Sequence, residues 1–177
     1  MVKKESGFSL VETLIAMGIL ATGLLSLAAV FAMGLNQLAG SSASLIAREK
    51  AREAVESVHT ARDTRVITWA QIRNTGEGGV FLAGAQQLRE AGGDGLVNTD
   101  DDGDVEVSLA PGYDNILGTS DDIATPLDTY TRTIEITDIL TAGVPNPSLR
   151  QLRVTIGFRV GQAQRTYTLT TYISRIS

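Results

Sequence analysis

The chain opens its apolar region with GFSLVETLIAMGILATGLLSLAAVFAMGL, residues 7–35. No Asp, Glu, Lys or Arg occurs in Thr13–Ala47, and the densest apolar stretch is Thr13–Leu35. As a helix, that stretch is roughly 34 Å long at about 1.5 Å per residue, which is enough to cross the hydrocarbon core of a bilayer. Glu12 stands at its start. The sequence therefore predicts a membrane-length helix that carries one acid near its first turn.

Two ordinary interpretations of this segment leave Glu12 unexplained. A cleaved secretory signal has a basic start, but its apolar core is only about 7–15 residues long and excludes an acid. A plain membrane anchor explains the length and would keep Lys3 and Lys4 in the cytoplasm. An ionisable side chain costs about 2.5–3.5 kcal/mol at the bilayer centre, and less near the end of the span. On either interpretation, Glu12 needs a partner.

The residues around Glu12 carry a resemblance to a known family. The hexapeptide GFSLVE, residues 7–12, follows two lysines and precedes the apolar run. It resembles the class III signal of type IV prepilins and pseudopilins. The resemblance implies that a membrane aspartyl prepilin peptidase cleaves between Gly7 and Phe8 and then methylates the amine of Phe8. It also implies that Leu14–Leu35 serves first as membrane anchor and later as filament core.

The resemblance gives Glu12 a role in assembly. After cleavage, its carboxylate would pair with the Phe8 ammonium of a neighbouring subunit and set the axial offset between the two, as a buried polar residue does in a coiled coil. Residues 19–30 resemble the PilV-like minor pilins. Major pilins commonly carry a proline in this helix, whereas the first proline here is Pro111. This departure favours a minor pilin or a secretion pseudopilin.

The chain divides into four segments: a leader peptide at 1–7, a transmembrane and filament-core helix at 8–35, an amphipathic continuation at 36–65, and a globular head at 66–177. The continuation has apolar residues at helical spacing. They are Ala47, Ala51, Ala54, Val58 and Ala61. We expect this stripe to pack on a sheet. The predicted fold class is α+β, a long N-terminal helix packed on a C-terminal antiparallel sheet, as in pilins.

The strands of that sheet are predicted within residues 104–175 by alternating apolar and polar positions. The pattern favours strands at 104–109, 129–139, 151–160 and 166–173. Residues 161–164 suit a hairpin turn, and residues 144–147 suit a rigid connection. Residues 81–90 are ambiguous, and a short helix is one interpretation.

An acidic block lies between the helix and the last strands. Residues 91–131 hold ten acids and neither Lys nor Arg, so we expect acidic loops at 91–128. Two stretches there, 94–101 and 114–122, echo each other. The first contains the start of a calcium-loop pattern, but its twelfth position is Leu109 and not Glu. A looser Ca²⁺ site is one hypothesis, and solvated turns are the other. The candidate ligands are Asp100, Asp102, Asp104, Asp121 and Asp122.

Several kinds of chemistry have no residues to support them. The chain has no cysteine and one histidine, which excludes a thiol nucleophile and a multi-histidine metal site. It has no phosphate-binding Gly-Lys loop and no G-x-S-x-G turn. The net charge of −5 argues against nucleic acid as a partner. We therefore expect a protein that is the substrate of an enzyme and is not an enzyme itself.

The resemblance implies the first two of three candidate functions, and the acidic block suggests the third. The first is a minor type IV pilin held in the bacterial inner membrane, N-terminus in the cytoplasm and head outside, that later reaches the pilus and cell surface. Its partners would be prepilin peptidase, other pilins through the N-terminal helix, and the inner-membrane assembly platform. The second is a pseudopilin of a type II secretion system. The third is a membrane-anchored, calcium-dependent binding protein that does not assemble.

Overall fold

The computed structural model describes Gly7 and residues 9–175, apart from the side chains of two residues in the helix. Helix α1 comprises Leu10–Asp63 and is 54 residues long. It runs through Gly40, Ser41 and Ser42 as regular helix. By contacts the chain forms two compact units, residues 1–41 and residues 42–177. The second unit contains the latter part of α1 and all the strands.

The strands of the second unit form two antiparallel sheets. Six strands follow α1: β1 (Gln86–Gln87), β2 (Val107–Ala110), β3 (Ile123–Pro126), β4 (Thr131–Thr141), β5 (Val144–Val160) and β6 (Ala163–Ser174). Strands β1, β4, β5 and β6 form one sheet in that order, and β2 pairs with β3 in a separate hairpin. The predicted α+β arrangement of a long helix packed on an antiparallel sheet is confirmed.

The helix packs on the sheet through the predicted stripe of small residues. All five residues of that stripe are buried, and they share one core with the inward side chains of the sheet. Four of the five residues are alanine, so the helix presents short side chains to the sheet. The sheet supplies larger groups such as Ile134, Leu152 and Ile156, each of which contributes roughly 1.5–3 kcal/mol when fully buried.

Two buried arginines connect the loops to this core through hydrogen bonds and ion pairs. Arg132 on β4 donates Nε to Asn98 Oδ1 at 2.8 Å and pairs with Glu106, which also pairs with Lys50 on α1. Arg150 on β5 donates to backbone carbonyls of the segment that follows the helix and lies over the ring of its tryptophan. Breaking a buried ion pair typically costs about 3–5 kcal/mol, so these contacts hold the loops in place.

Two local predictions from the sequence are wrong, and a third is confirmed only in part. Residues 81–90 contain the two-residue strand β1 instead of a helix, because their amides and carbonyls bond to the acidic loop and its flanks, as in Leu82 N to Asn98 O at 2.7 Å. Residues 144–147 begin strand β5, since the chain turns at Ala142 and Gly143 with φ of 52° and 82°. The strand predicted at 104–109 exists as β2, but its apolar face is exposed and lies outside the core.

Candidate assembly site at the start of the helix

Helix α1 begins with a reciprocal cap formed by Ser9 and Glu12. The Ser9 amide donates to Glu12 Oε2 at 2.9 Å, and Ser9 Oγ accepts a hydrogen bond from the Val11 amide at 3.3 Å. This is a capping box, in which the serine and the acid three residues later each satisfy a free amide of the first turn. The acid also lies at the positive end of the helix dipole. Glu12 therefore has a structural role within the single chain.

The sequence itself carries a signal for this cap, which was not among the predictions. Ser-x-x-Glu before an apolar run is a recognised start of a helix, and Ser9-Leu-Val-Glu12 fits it. The cap engages one carboxylate oxygen. Oε1 of Glu12 accepts no hydrogen bond from any described residue. The second oxygen remains accessible to a group from outside the chain.

The helix that follows the cap is apolar and uncovered. Every described side chain from Leu10 to Leu38 is exposed, including large groups such as Phe31. By length and composition this part of α1 can span a membrane, and the apolar window that qualifies has no buried residue. Contiguous exposed apolar surface of this size marks a membrane or a protein interface. This part of α1 therefore has the properties of a segment that lies in a membrane or against other helices.

Two hydroxyl groups inside this segment are satisfied by the helix itself. Thr22 Oγ1 donates to Ile19 O at 2.9 Å, and Ser26 Oγ donates to Thr22 O at 2.8 Å. Unsatisfied polar groups cost several kcal/mol in lipid, and these back-bonds avoid that cost. A Cβ added at Gly18 or Gly23 would meet nothing within 4 Å, so both glycines have room for close approach by another helix.

The residues of the predicted processing site are described only in part. Gly7 is described and exposed. Phe8, which the resemblance makes the new N-terminus and the methylated residue, lies outside the described residues, as do both lysines of the leader. Cleavage and methylation at Gly7–Phe8 therefore stay predictions.

The two acidic echoes form loops with one hydrogen-bonding scheme. We define the first acidic loop as residues 92–102 and the second as residues 112–122. In each loop, a threonine hydroxyl and the amide of an early Asp donate to one late Asp carboxylate. The carboxylate of the early Asp in turn accepts a hydrogen bond from the amide two residues after it. In the first loop, Asp94 N donates to Asp101 Oδ2 at 3.4 Å and Thr99 Oγ1 donates to Asp101 Oδ1 at 2.9 Å. In the second loop, Asp114 N donates to Asp121 Oδ2 at 3.3 Å and Thr119 Oγ1 donates to Asp121 Oδ1 at 2.6 Å. The carboxylates organise their own loops.

Both loops begin with a glycine because the late Asp lies too close to leave room for a side chain at that position. A Cβ at Gly92 would lie 2.3 Å from Asp101 Cγ, and one at Gly112 would lie 2.1 Å from Asp121 O. Hydrogen bonds from Thr99 and Thr119, with help from backbone amides, lower the pKa of Asp101 and Asp121. Both carboxylates are therefore favoured in the charged form, which is the form that accepts these bonds.

The proposed calcium ligands do not gather into one cluster. Within the described residues there is no group of three or more His, Cys, Asp or Glu side chains that could hold a metal ion. Oxygens of Asp102, Asp121 and Asp122 accept hydrogen bonds from their own loops, while Asp100 and Asp104 are exposed. A site shared by the two loops has no geometric support, and calcium binding stays a prediction that calorimetry with calcium and a chelator would test.

Comparison with known proteins adds one finding. Residues 2–28 match the family model described as the prokaryotic N-terminal methylation motif. No curated protein matches the chain, and no solved structure does. The matched residues include Gly7, Phe8, Ser9 and Glu12. The match supports a protein of the type IV pilin or pseudopilin type, which points to a structural role and implies processing by prepilin peptidase and partners in assembly.

Proposed function

We propose that this protein is a minor type IV pilin, cut between Gly7 and Phe8 and incorporated into a pilus filament, or priming one, through residues 8–35. One observation carries the proposal. After the signal matched at residues 2–28, helix α1 exposes every described apolar side chain from Leu10 to Leu38, with Glu12 as the only acid. Such a surface is stable in a bilayer before assembly and against other pilin helices afterwards.

The cap at the start of α1 is compatible with pairing between subunits. Cleavage before Phe8 leaves the Ser9 amide in a peptide bond, so its hydrogen bond to Glu12 Oε2 can persist in the mature chain. Oε1, which accepts no hydrogen bond from a described residue, then accepts one from the Phe8 ammonium of a neighbour. In apolar surroundings this pairing removes the cost of an isolated carboxylate and fixes the offset between helices.

The same segment assigns a location and partners. Before assembly the chain would lie in the inner membrane with its N-terminus in the cytoplasm and residues 66–177 outside, as expected from the two lysines of the leader. Prepilin peptidase, the inner-membrane assembly platform and other pilins would meet the helix in turn. After assembly the head would be displayed on the pilus or cell surface.

A pseudopilin of a type II secretion system is the second candidate. The observation that favours it is the uninterrupted helix Leu10–Asp63, in a chain whose first proline is Pro111. This separates the protein from the usual major pilin but fits both a minor pilin and a pseudopilin. A membrane anchor that binds calcium and never assembles is the candidate from a different class, and an unprocessed N-terminus would favour it.

Substitution of Glu12 tests the proposal because two variants separate its two roles. Glu12→Ala removes both the cap and the charge, whereas Glu12→Gln keeps a group that can cap the helix and removes only the charge. We expect both variants to insert and to be processed, and both to fall at least about tenfold in sheared filaments relative to membranes, which corresponds to about 1.4 kcal/mol. Immunoblots of the two fractions measure this ratio.

The matched control is Glu49→Gln, the same chemical change on an exposed residue of the same helix within the second unit. We expect this variant to be incorporated like the wild type. If Glu12→Gln were also incorporated like the wild type, the charge pairing would be refuted and the capping role alone would remain.

A further inference from the structure

The two acidic loops share a backbone scheme but differ in where they place an aliphatic pair. In the first acidic loop, Leu96 and Val97 are 0% and 1% exposed and belong to the core. In the second, the equivalent residues Ile116 and Leu117 are both 59% exposed, and the adjacent Tyr113 is 100% exposed. One loop fastens itself to its own head through this pair. The other presents the same pair to its surroundings.

The hairpin that carries the second acidic loop is uncovered as well. Leu109 on β2 and Ile123 on β3 are 54% and 59% exposed. The two strands pair only with each other in the described residues. An isolated two-stranded hairpin is marginal in water, and a contiguous apolar patch of this kind marks an interaction surface. The hairpin and its loop therefore have the properties of an element that docks on another protein.

A cleft elsewhere on the head has the complementary character. It has a volume of about 250 Å³ and is lined by basic and apolar side chains. They are Arg62, Arg65, Ile67, Thr68, Trp69 and Arg175. We call this the arginine cleft. Arg62 pairs with Asp63, whereas the guanidinium groups of Arg65 and Arg175 pair with no carboxylate in the part of the chain that the structure describes. Three arginines in one cleft stand out in a chain of net charge −5.

We propose that the second acidic loop docks into the arginine cleft of a second copy of this chain. Asp114, Asp121 and Asp122 supply negative charge at the loop, and the cleft supplies three guanidinium groups for it. The exposed aliphatic pair and Tyr113 meet the apolar side of the cleft formed by Ile67 and Trp69. Complementary charge steers such a contact, and the burial of the apolar groups stabilises it.

The proposed contact joins two different surfaces of identical heads. A contact of this kind is heterologous, so it repeats from copy to copy and extends as a filament unless the rotation closes a ring. The proposal rests on the filament role proposed above, and it adds a head-to-head contact to the one between the N-terminal helices. Multiple weak contacts along one assembly increase its overall stability through effective concentration.

Cysteine cross-linking tests the contact, because the chain has no cysteine of its own. Cells produce two differently tagged full-length chains, one carrying Ser120→Cys on the second acidic loop and the other carrying Thr68→Cys in the arginine cleft. Both positions are exposed. A short bis-maleimide is added to intact membranes and to sheared filaments. We expect a cross-linked dimer that contains both tags.

The matched control uses the twin loop. Asp100→Cys occupies the position in the first acidic loop equivalent to residue 120 and is also exposed. Paired with Thr68→Cys, it should give at least about tenfold less of the mixed dimer. Arg65→Glu combined with Arg175→Glu should reduce the Ser120–Thr68 product by a similar factor, whereas lysine at both positions should retain most of it.

Each remaining outcome decides the proposal. Equal cross-linking from Ser120→Cys and Asp100→Cys, or none from either, overturns the docking. A product that joins Thr68→Cys to a different protein, without the mixed dimer, assigns the cleft to another partner and also overturns it. The amount of chain in sheared filaments is measured in the same cells. That amount reports separately on the filament role, so loss of the contact and loss of assembly are distinguishable.

Discussion

The two parts of helix α1 present the same kind of side chain to different surroundings. From Leu10 to Leu38 the apolar groups include many large ones and are exposed, whereas from Ala47 to Ala61 the inward groups are small and buried against the sheet. One helix therefore contains a buried apolar stripe and an exposed apolar surface of the kind that contacts a membrane or another protein. The continuous helical pattern of the sequence does not distinguish these two surfaces. They differ in the size of their residues and in whether a strand faces them.

The acidic loops repeat this contrast on a smaller scale. Leu96 and Val97 are covered by the head, and Ile116 and Leu117 are not, although the hydrogen bonds inside the two loops match. Local sequence therefore determines the shape of each loop, and tertiary position determines what its aliphatic pair contacts. Uncovered apolar groups on a folded chain indicate where partners bind.

The largest expected effect sharpens the contrast between the loops. Leu96→Ala removes a fully buried side chain and should lower the free energy of unfolding by about 2–5 kcal/mol. Ile116→Ala, the same kind of truncation at the exposed equivalent, should change it by less than about 0.5 kcal/mol. Urea unfolding of the full chain in nanodiscs, followed by fluorescence of the single tryptophan, measures both. Equal losses would show that the second loop is packed as tightly as the first.

A smaller effect separates the two parts of the helix. Ala54→Leu overfills the closely packed helix–sheet contact and should cost about 1–3 kcal/mol of stability. Ala29→Leu lies on the exposed apolar part and should leave the unfolding of the head unchanged. The same fluorescence measurement applies. A head destabilised by Ala29→Leu would contradict the division of α1 into a covered and an uncovered part.

A still smaller effect concerns the acid sensitivity of the covered region. Hydrogen bonds from Arg73 at 2.6 Å, and from Arg150, lower the pKa of Asp138 below its ordinary value of 3.8. Because the pKa is depressed in the folded state, this carboxylate stabilises the fold above about pH 4, and that contribution disappears as the pH falls through the folded pKa. Asp138→Asn should therefore lower stability at pH 7 and flatten its decline below about pH 4.

The control for the acid prediction is Asp128→Asn, which changes an exposed carboxylate with no ion pair in the described residues. Its melting temperature should follow the wild-type profile across the same pH range. A parallel profile for Asp138→Asn would mean that the bridge between the two arginines does not contribute to the pH dependence.

Much of the fold was predictable because periodicity reports burial. Spacing alone predicted the stripe from Ala47 to Ala61 and the inward residues of β5, and their burial confirms both predictions. The same alternation also contained the buried arginines, since Arg132 lies two residues before Ile134, and Arg150 two before Leu152, on the inward face. Because arginine is charged, neither position was predicted to be buried. Arginine becomes tolerable there only when tertiary contacts supply its acceptors.

Other features had no local signal. The apolar face of β2 alternates like that of β5, yet it is exposed because no layer covers it. The short strand β1 depends on pairing with β4, which is distant in sequence. At the start of the helix, residues 7–12 carry both the signal around Glu12 and the Ser-x-x-Glu pattern of the cap with Ser9. The uncovered surface of the second acidic loop required the structure.

The N-terminus of the native chain tests the central claim most directly. Intact-mass and terminal-peptide mass spectrometry of protein purified from its own membranes should find a chain that begins at a methylated Phe8. A chain that still begins at Met1, in cells whose other prepilins are processed, would contradict the account and the filament role derived from it.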